Sequence, residues 1–233
     1  LALKDDGVVL GWGQNWYGET TTPHGLENVK AIAAGDGFSM AIKQDGTVVA
    51  WGRDMYGQTL IPDGLANVKA ISAGRNHSLA LQENGTIKEW GGYYEGQTAL
   101  PRGLVDVIAI SAGDDHSLAL TQNGQVFAWG DGQNGQLEVP EGLGDVVMVA
   151  AGGCHSLALK SDGTVKAWGN NIFGQTSVPS GLGRIKAIAA GEDHSLALAE
   201  DGTVHAWGRH DKGQIDVPPG LRGVKAISAG AFF

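Results

Sequence analysis

The sequence predicts an all-β fold, a β-propeller of six repeats, and three observations carry that expectation. The dipeptide Trp-Gly recurs at Trp12, Trp51, Trp90, Trp129, Trp168 and Trp207, each step 39 residues long without insertion or deletion. Proline keeps the same register at Pro23, Pro62, Pro101, Pro140, Pro179 and Pro218, with glycine two residues later in every copy. Glycine supplies 38 of 233 residues, more than twice the ordinary share of about 7%, so the chain turns often and long helices are not expected.

Within one unit the elements follow from local pattern. In the copy that starts at Ile185, the runs 185–190, 195–198 and 203–207 are short, apolar or alternating, and bounded by Gly and turn residues, which predicts three strands. Asp201-Gly202 between the second and third predicts a tight hairpin with a type I′ turn, and Asp45-Gly46, Asn84-Gly85, Asn123-Gly124 and Asp162-Gly163 repeat it. The Pro-x-Gly-Leu stretch closes a looser fourth segment, confined by its proline to an edge or irregular strand. About forty residues with three to four antiparallel strands is the size of one propeller blade.

A helical solenoid lacks its 3.6-residue period here, and an open β-solenoid would need polar caps unlike the inner repeats. Phe233 falls in the column of His194 and Leu1 in that of Leu196. Tail and head are therefore expected to complete one blade and close residues 1–233 into a single propeller. The alternative is a cut from a longer array, making the chain part of a seven-bladed propeller; Leu1 opens it with neither an initiator Met nor a signal-like segment, so the start reads as a cut.

Composition narrows the function classes. The formal charge of −9, from 25 acidic and 16 basic residues, gives no footprint for nucleic acid or an anionic membrane. No apolar run reaches the length of a membrane span. Cys154 is the single cysteine, which excludes an internal disulfide framework and a cysteine-rich zinc module.

Antiparallel order places the A-G-x-x loops and the W-G-x-x-x-x-G loops on one face, here called the top, and the Asp-Gly hairpins below. The hairpins barely vary between copies, whereas the top loops differ in every one. Their residues are the candidate partner-binding set: Trp16, Tyr17, Asp54, Met55, Tyr56, Tyr93, Tyr94, Glu95, Asp131, Ile172, Phe173, His210 and Asp211 after the tryptophans, and Asp114, Asp115, Glu192 and Asp193 in the A-G-x-x loops. Rigid aromatics give contact area at small entropic cost, so Trp16, the one tryptophan outside the Trp-Gly column, and Tyr17 are the prime hot-spot candidates. Nine top-loop acids against four bases place more than half of the net negative charge on this face, favouring a partner with a basic or mixed surface.

Catalytic and metal chemistry find no constellation. His77, His116, His155 and His194 share a column with Phe38 and Phe233, so that position packs an aromatic ring rather than a metal. His77 and Ser78, like the other His-Ser pairs, are strand neighbours pointing to opposite faces, so they cannot act together. The Asp-Gly hairpins lack the spacing of a calcium loop. Asp114-Asp115 and Glu192-Asp193 resemble paired glycosidase acids without a cleft, and Cys154 reads as a bystander thiol. No cofactor is expected.

The strings A-G-x-x-H-S-L-A-L, x-D-G-x-V-x-A-W-G and G-Q-T-x-V-P resemble the repeats of the regulator-of-chromosome-condensation superfamily, most nearly its short bacterial repeats of the β-lactamase-inhibitory protein II type. Members usually have seven blades. The resemblance implies a non-enzymatic, protein-binding propeller, with a β-lactamase as the inhibitor-like partner, in a bacterial secreted or cell-surface setting. It is carried by loops such as Asn15-Trp16-Tyr17 and Asn171-Ile172-Phe173, and departs at Asp114-Asp115 and Glu192-Asp193, where the inhibitor has aromatics. Two other readings stand beside it: a lectin-like propeller whose aromatics stack on sugars, and a structural repeat domain of a larger bacterial surface protein. The superfamily's chromatin and nucleotide-exchange role needs basic segments and an inserted wedge that this chain lacks.

Overall fold

The computed structural model describes residues 1–92 and 99–230, and among them every regular element is a strand. A two-stranded pair, β1 (Ala2–Leu3) and β2 (Val9–Leu10), precedes five three-stranded antiparallel sheets. These are β3 (Val29–Ala34), β4 (Phe38–Lys43) and β5 (Val48–Gly52); β6 (Val68–Ala73), β7 (His77–Gln82) and β8 (Ile87–Gly91); and β9 (Val107–Ala112), β10 (His116–Thr121) and β11 (Val126–Gly130). The last two are β12 (Val146–Ala151), β13 (His155–Lys160) and β14 (Val165–Gly169), then β15 (Ile185–Ala190), β16 (His194–Ala199) and β17 (Val204–Gly208). The middle strand pairs with both others in each sheet. The first strands β3, β6, β9, β12 and β15 touch in succession, and each middle strand packs on the first strand of the next sheet. That is blade stacking in a β-propeller.

The alternating pattern explains the layering. Middle strands are covered on both faces by neighbouring sheets and on both edges by strands, so nearly every residue of the H-S-L-A-L string is buried. Leu157, Leu159, Val165, Ile185, Ile188 and Trp207 form one such inter-sheet core. Each buried tryptophan sits against the preceding sheet, as Trp90 does on Phe38, Met40 and Ile42. Trp12 departs from the rest of its column: it is 66% exposed, while the other five are at most 9% exposed. The other tryptophans of its column pack against a preceding sheet, as Trp90 does.

Two turns refine the expected elements. Gly46 N donates to Lys43 O at 2.9 Å and Lys43 N to Thr47 O at 2.8 Å, with positive φ at Gly46 (81°) and not at Asp45. The expected type I′ turn is therefore a type I turn closed by a left-handed glycine, and Asp45 Oδ1 secures it by accepting from Thr47 N at 2.9 Å. Among the described residues the fourth segment is no strand. In Pro62-Asp63-Gly64-Leu65 the Leu65 N donates to Pro62 O at 3.2 Å, a turn that drops Leu65 onto the core between the first two complete sheets.

Residues 221–230 carry no assigned strand, and Gly230 O accepts from Glu192 N at 3.4 Å.

Candidate functional site

The top loops rest on a contact set repeated between sheets. Ser78 Oγ and Trp90 Nε1 both donate to the main-chain oxygen of Gln58, at 2.7 and 2.8 Å. Ser156 and Trp168 hold Gln136 O the same way, at 3.0 and 2.9 Å, and Ser195 and Trp207 hold Gln175 O, at 2.8 and 2.9 Å. Ser39 and Trp51 hold Glu19 O at 2.7 and 3.0 Å. The side chain of the clamped residue turns back into its own loop: Gln58 Oε1 accepts from Tyr56 N, Gln175 Oε1 from Phe173 N and Glu19 Oε2 from Tyr17 N, at 2.9, 2.9 and 2.8 Å. The glutamine column thus satisfies a backbone N–H of its own loop, and Glu19 does so equally well.

The histidines extend the clamp across the next junction. His77, His116 and His155 place Nε2 2.9 Å from the hydroxyls of Ser117, Ser156 and Ser195, each 40 residues on. The Ser156 and Ser195 hydroxyls give their one proton to a carbonyl, so they accept from the imidazole, which is the neutral Nε2–H tautomer. Adjacent His-Ser pairs do not meet, as expected; the pairing of each histidine with the following repeat's serine emerges only in three dimensions. Burial lowers these imidazoles to about 4 at His77, about 4 at His116 and about 3 at His155. The A-G glycine makes room for them, because a Cβ on Gly113 would strike the His116 ring and the Gly152 oxygen.

The two variable loops share one end of the sheets. Arg53 N donates to Gly37 O, Asn170 N to Cys154 O and Arg209 N to Asp193 O, at 2.8, 2.9 and 2.9 Å. At this end Trp16 and Ile172 are each 79% exposed and Met55 67%. Tyr17 and Tyr56 flank the Arg53 guanidinium, at 5.7 and 5.6 Å from its carbon, and Arg53 also pairs with Asp36 at 3.1 Å. Phe173 meets Arg209 at 5.0 Å, and that arginine bridges Asp193 (3.2 Å) and Asp211 (2.7 Å) beside exposed His210. The structure thus sets Tyr17 and Tyr56 against Arg53 and Phe173 against Arg209, each arginine standing 36 residues after Tyr17 or Phe173. Arg53 and Arg209 are not among the expected contact residues, although that offset is visible in the sequence.

Several acids of the set have internal work. Asp54 Oδ1 accepts from Thr59 N at 2.8 Å, and Asp131 Oδ1 from Gln133 N at 3.1 Å, so both shape their own loops. Asp114, Asp115, Glu192 and Asp193 are half-buried rather than loop tips. Burial raises Asp114 to about 7 despite Arg75, 3.9 Å away, and the neighbouring acids Glu192, Asp115 and Asp36 push the same way. Burial, then the surrounding carboxylates, raises the Cys154 thiol to about 11, so it is protonated at neutral pH. Tyr93, Tyr94 and Glu95 lie outside the described residues.

The family model described as Regulator of chromosome condensation (RCC1) repeat matches residues 29–58, 107–136, 146–175 and 185–214, just over half of the chain. Each match starts at a first strand and ends at a column glutamine. Prp20p from Saccharomyces cerevisiae, studied for binding to Gsp1p and histones, is 25% identical with a TM-score of 0.68, over 82% of this chain and 59% of that one. The ectodomain of the Physcomitrella patens receptor kinase CR4 is 24% identical with a TM-score of 0.80, over 97% of this chain and 62% of that one. The Arabidopsis thaliana ACR4 ectodomain is 22% identical with a TM-score of 0.75, over 94% and 80%. The two plant likenesses speak for the fold alone. No curated protein matches significantly. The chain spans about three fifths of the length of Prp20p. With its sheets stacked as blades and its repeats matched by the family model, the chain belongs to the RCC1-repeat family.

Proposed function

We propose that this chain is a non-enzymatic, protein-binding propeller that engages its partner through the top loops. The carrying observation is the exposure of Trp16, Met55 and Ile172 on loops whose backbones are clamped from within. A rigid loop presenting large apolar side chains gains contact area without a large ordering cost. The acids around Asp114 and Asp193 favour a basic or mixed partner surface, and Prp20p, the fungal neighbour, binds proteins. The inhibitor-like form of this reading has a β-lactamase as partner and a bacterial, secreted setting.

The test is partner capture by the wild-type chain, by a Trp16→Ala/Ile172→Ala double variant, and by Lys160→Ala on the opposite face. Loss of a specific partner only with the double variant supports the reading; capture insensitive to it overturns it. A β-lactamase panel that keeps full turnover at micromolar propeller removes the inhibitor form. The exposed Trp16-Tyr17 pair also suits stacking on a sugar ring, and a glycan array with no hit sensitive to Trp16→Ala removes that second reading.

A further inference from the structure

One position breaks the repeat inside a junction. Glu89 stands where the equivalent residues are Ala50, Ala128, Ala167 and Ala206. It lies on β8 opposite Leu79 of β7. Its Oε1 accepts from Trp129 Nε1 at 2.8 Å, and the Ser117 hydroxyl interacts with the same carboxyl. Ser117 and Trp129 are the donor pair whose counterparts at four other junctions grip a main-chain oxygen. At this junction the indole of Trp129 donates to a group that can titrate. Glu89 Oε2 is buried without a hydrogen-bond partner among the described residues.

We infer that Glu89 makes the junction between β6–β8 and β9–β11 a proton-operated joint. With the carboxyl neutral the junction is closed; ionisation strengthens the bonds from Trp129 and Ser117 but leaves a buried charge, and that cost loosens this junction while the four carbonyl-held ones stay shut. Among the described residues the packed strands offer an anion no compensation. From β7 the nearest titratable group is His77, which reaches Ser117 and is held neutral by burial. From β10 it is His116, likewise neutral; β9 and β11 carry no charged residue. Lys88 alternates to the opposite face of β8, and Lys69 sits at the bulged end of β6. A buried carboxylate oxygen without a partner is costly, whereas the neutral acid is tolerated. Burial accordingly raises Glu89 to about 8, against the lowering effect of its bonds from Trp129 and Ser117. A folded-state value above the unfolded one contributes stability that is complete below the ordinary glutamate range and is lost as pH rises through about 8.

The inference is independent of any partner. It is tested on the full chain by following the Trp129 indole N–H resonance and the urea midpoint from pH 6 to 9.5 in wild type and in E89Q and E89A. Expected are an indole shift with a midpoint well above pH 6 and a midpoint of unfolding that falls with pH, both absent from the variants. An indole that titrates below pH 5, or the same pH course in wild type and variants, overturns it. E89A restores the residue of four other repeats, so it provides the comparison should E89Q fold poorly.

Discussion

At the residue scale, the buried His-Ser string is a hydrogen-bonding solution to a packing problem. A middle strand enclosed on all sides cannot leave polar groups to water, so the serine hydroxyls and Nε2 of His77, His116 and His155 meet partners from the adjoining sheet, while Nδ1 of these rings is buried without a hydrogen-bond partner among the described residues. Ser156→Ala removes an acceptor from His116 and a donor to Gln136 O, and an unfolding free energy lower by about 1–3 kcal/mol is expected in urea titration. The three deeply buried histidines have folded values below their unfolded one, so their contribution is present above about pH 6.5 and is lost as pH falls toward 4. His116→Phe, for which Phe38 is the natural precedent in the same column, should flatten that acid loss by one proton's worth, read from urea midpoints at pH 7 and pH 4.5. The sequence made the column's aromatic character plain through Phe38. It did not show the His–Ser contact, because partners 40 residues apart are matched only by the rotation from one sheet to the next. Glu89 was legible as a broken alanine column; its meaning needed the clamp.

At the element scale, strands and hairpins were readable because local signals and repeat phase agree. Asp-Gly announces a hairpin, but the same dipeptide serves both a type I′ turn and a type I turn with a left-handed glycine, so the turn type was decided only by the backbone. The observed form places the strain on glycine alone. Gly46→Ala puts a side chain at φ 81° with its Cβ 3.0 Å from the Asn67 backbone, and a loss of about 1–2 kcal/mol or more is expected in thermal or urea unfolding. Pro-x-Gly-Leu reads as a strand end in sequence and proves to be a turn, since proline removes a ladder donor and Gly64 takes φ 73°. The top loops were legible as variable and aromatic. Their division into two arginine-stacked groups was not, because a cation over a ring depends on how neighbouring sheets are offset.

At the scale of the whole molecule, charge and edge make distinct predictions. Asp114 is neutral in a large fraction of molecules below pH 7 and ionised above it. Binding of a basic partner should therefore tighten from pH 6 to 8 and weaken with added salt, measured as Kd in four buffers; a salt-insensitive Kd would mean that the acids take no part. Closure of the ring by the two terminal segments is decided by Trp12, whose indole is 66% exposed in this structure. Closure expects acrylamide quenching at the level of a buried indole, taken as the difference between wild type and Trp12→Phe. Quenching at the level of free tryptophan marks an open edge, or one that a further blade would cover.

The serine-tryptophan clamp holds main-chain oxygens, atoms that every amino acid supplies alike. Loop identity is thereby uncoupled from loop anchorage. Mutation can rewrite the residues that follow each Trp-Gly while the framework holds them at the same height and angle, without a fresh folding problem. The molecule is organised like an antibody's combining site: hypervariable text set on invariant type.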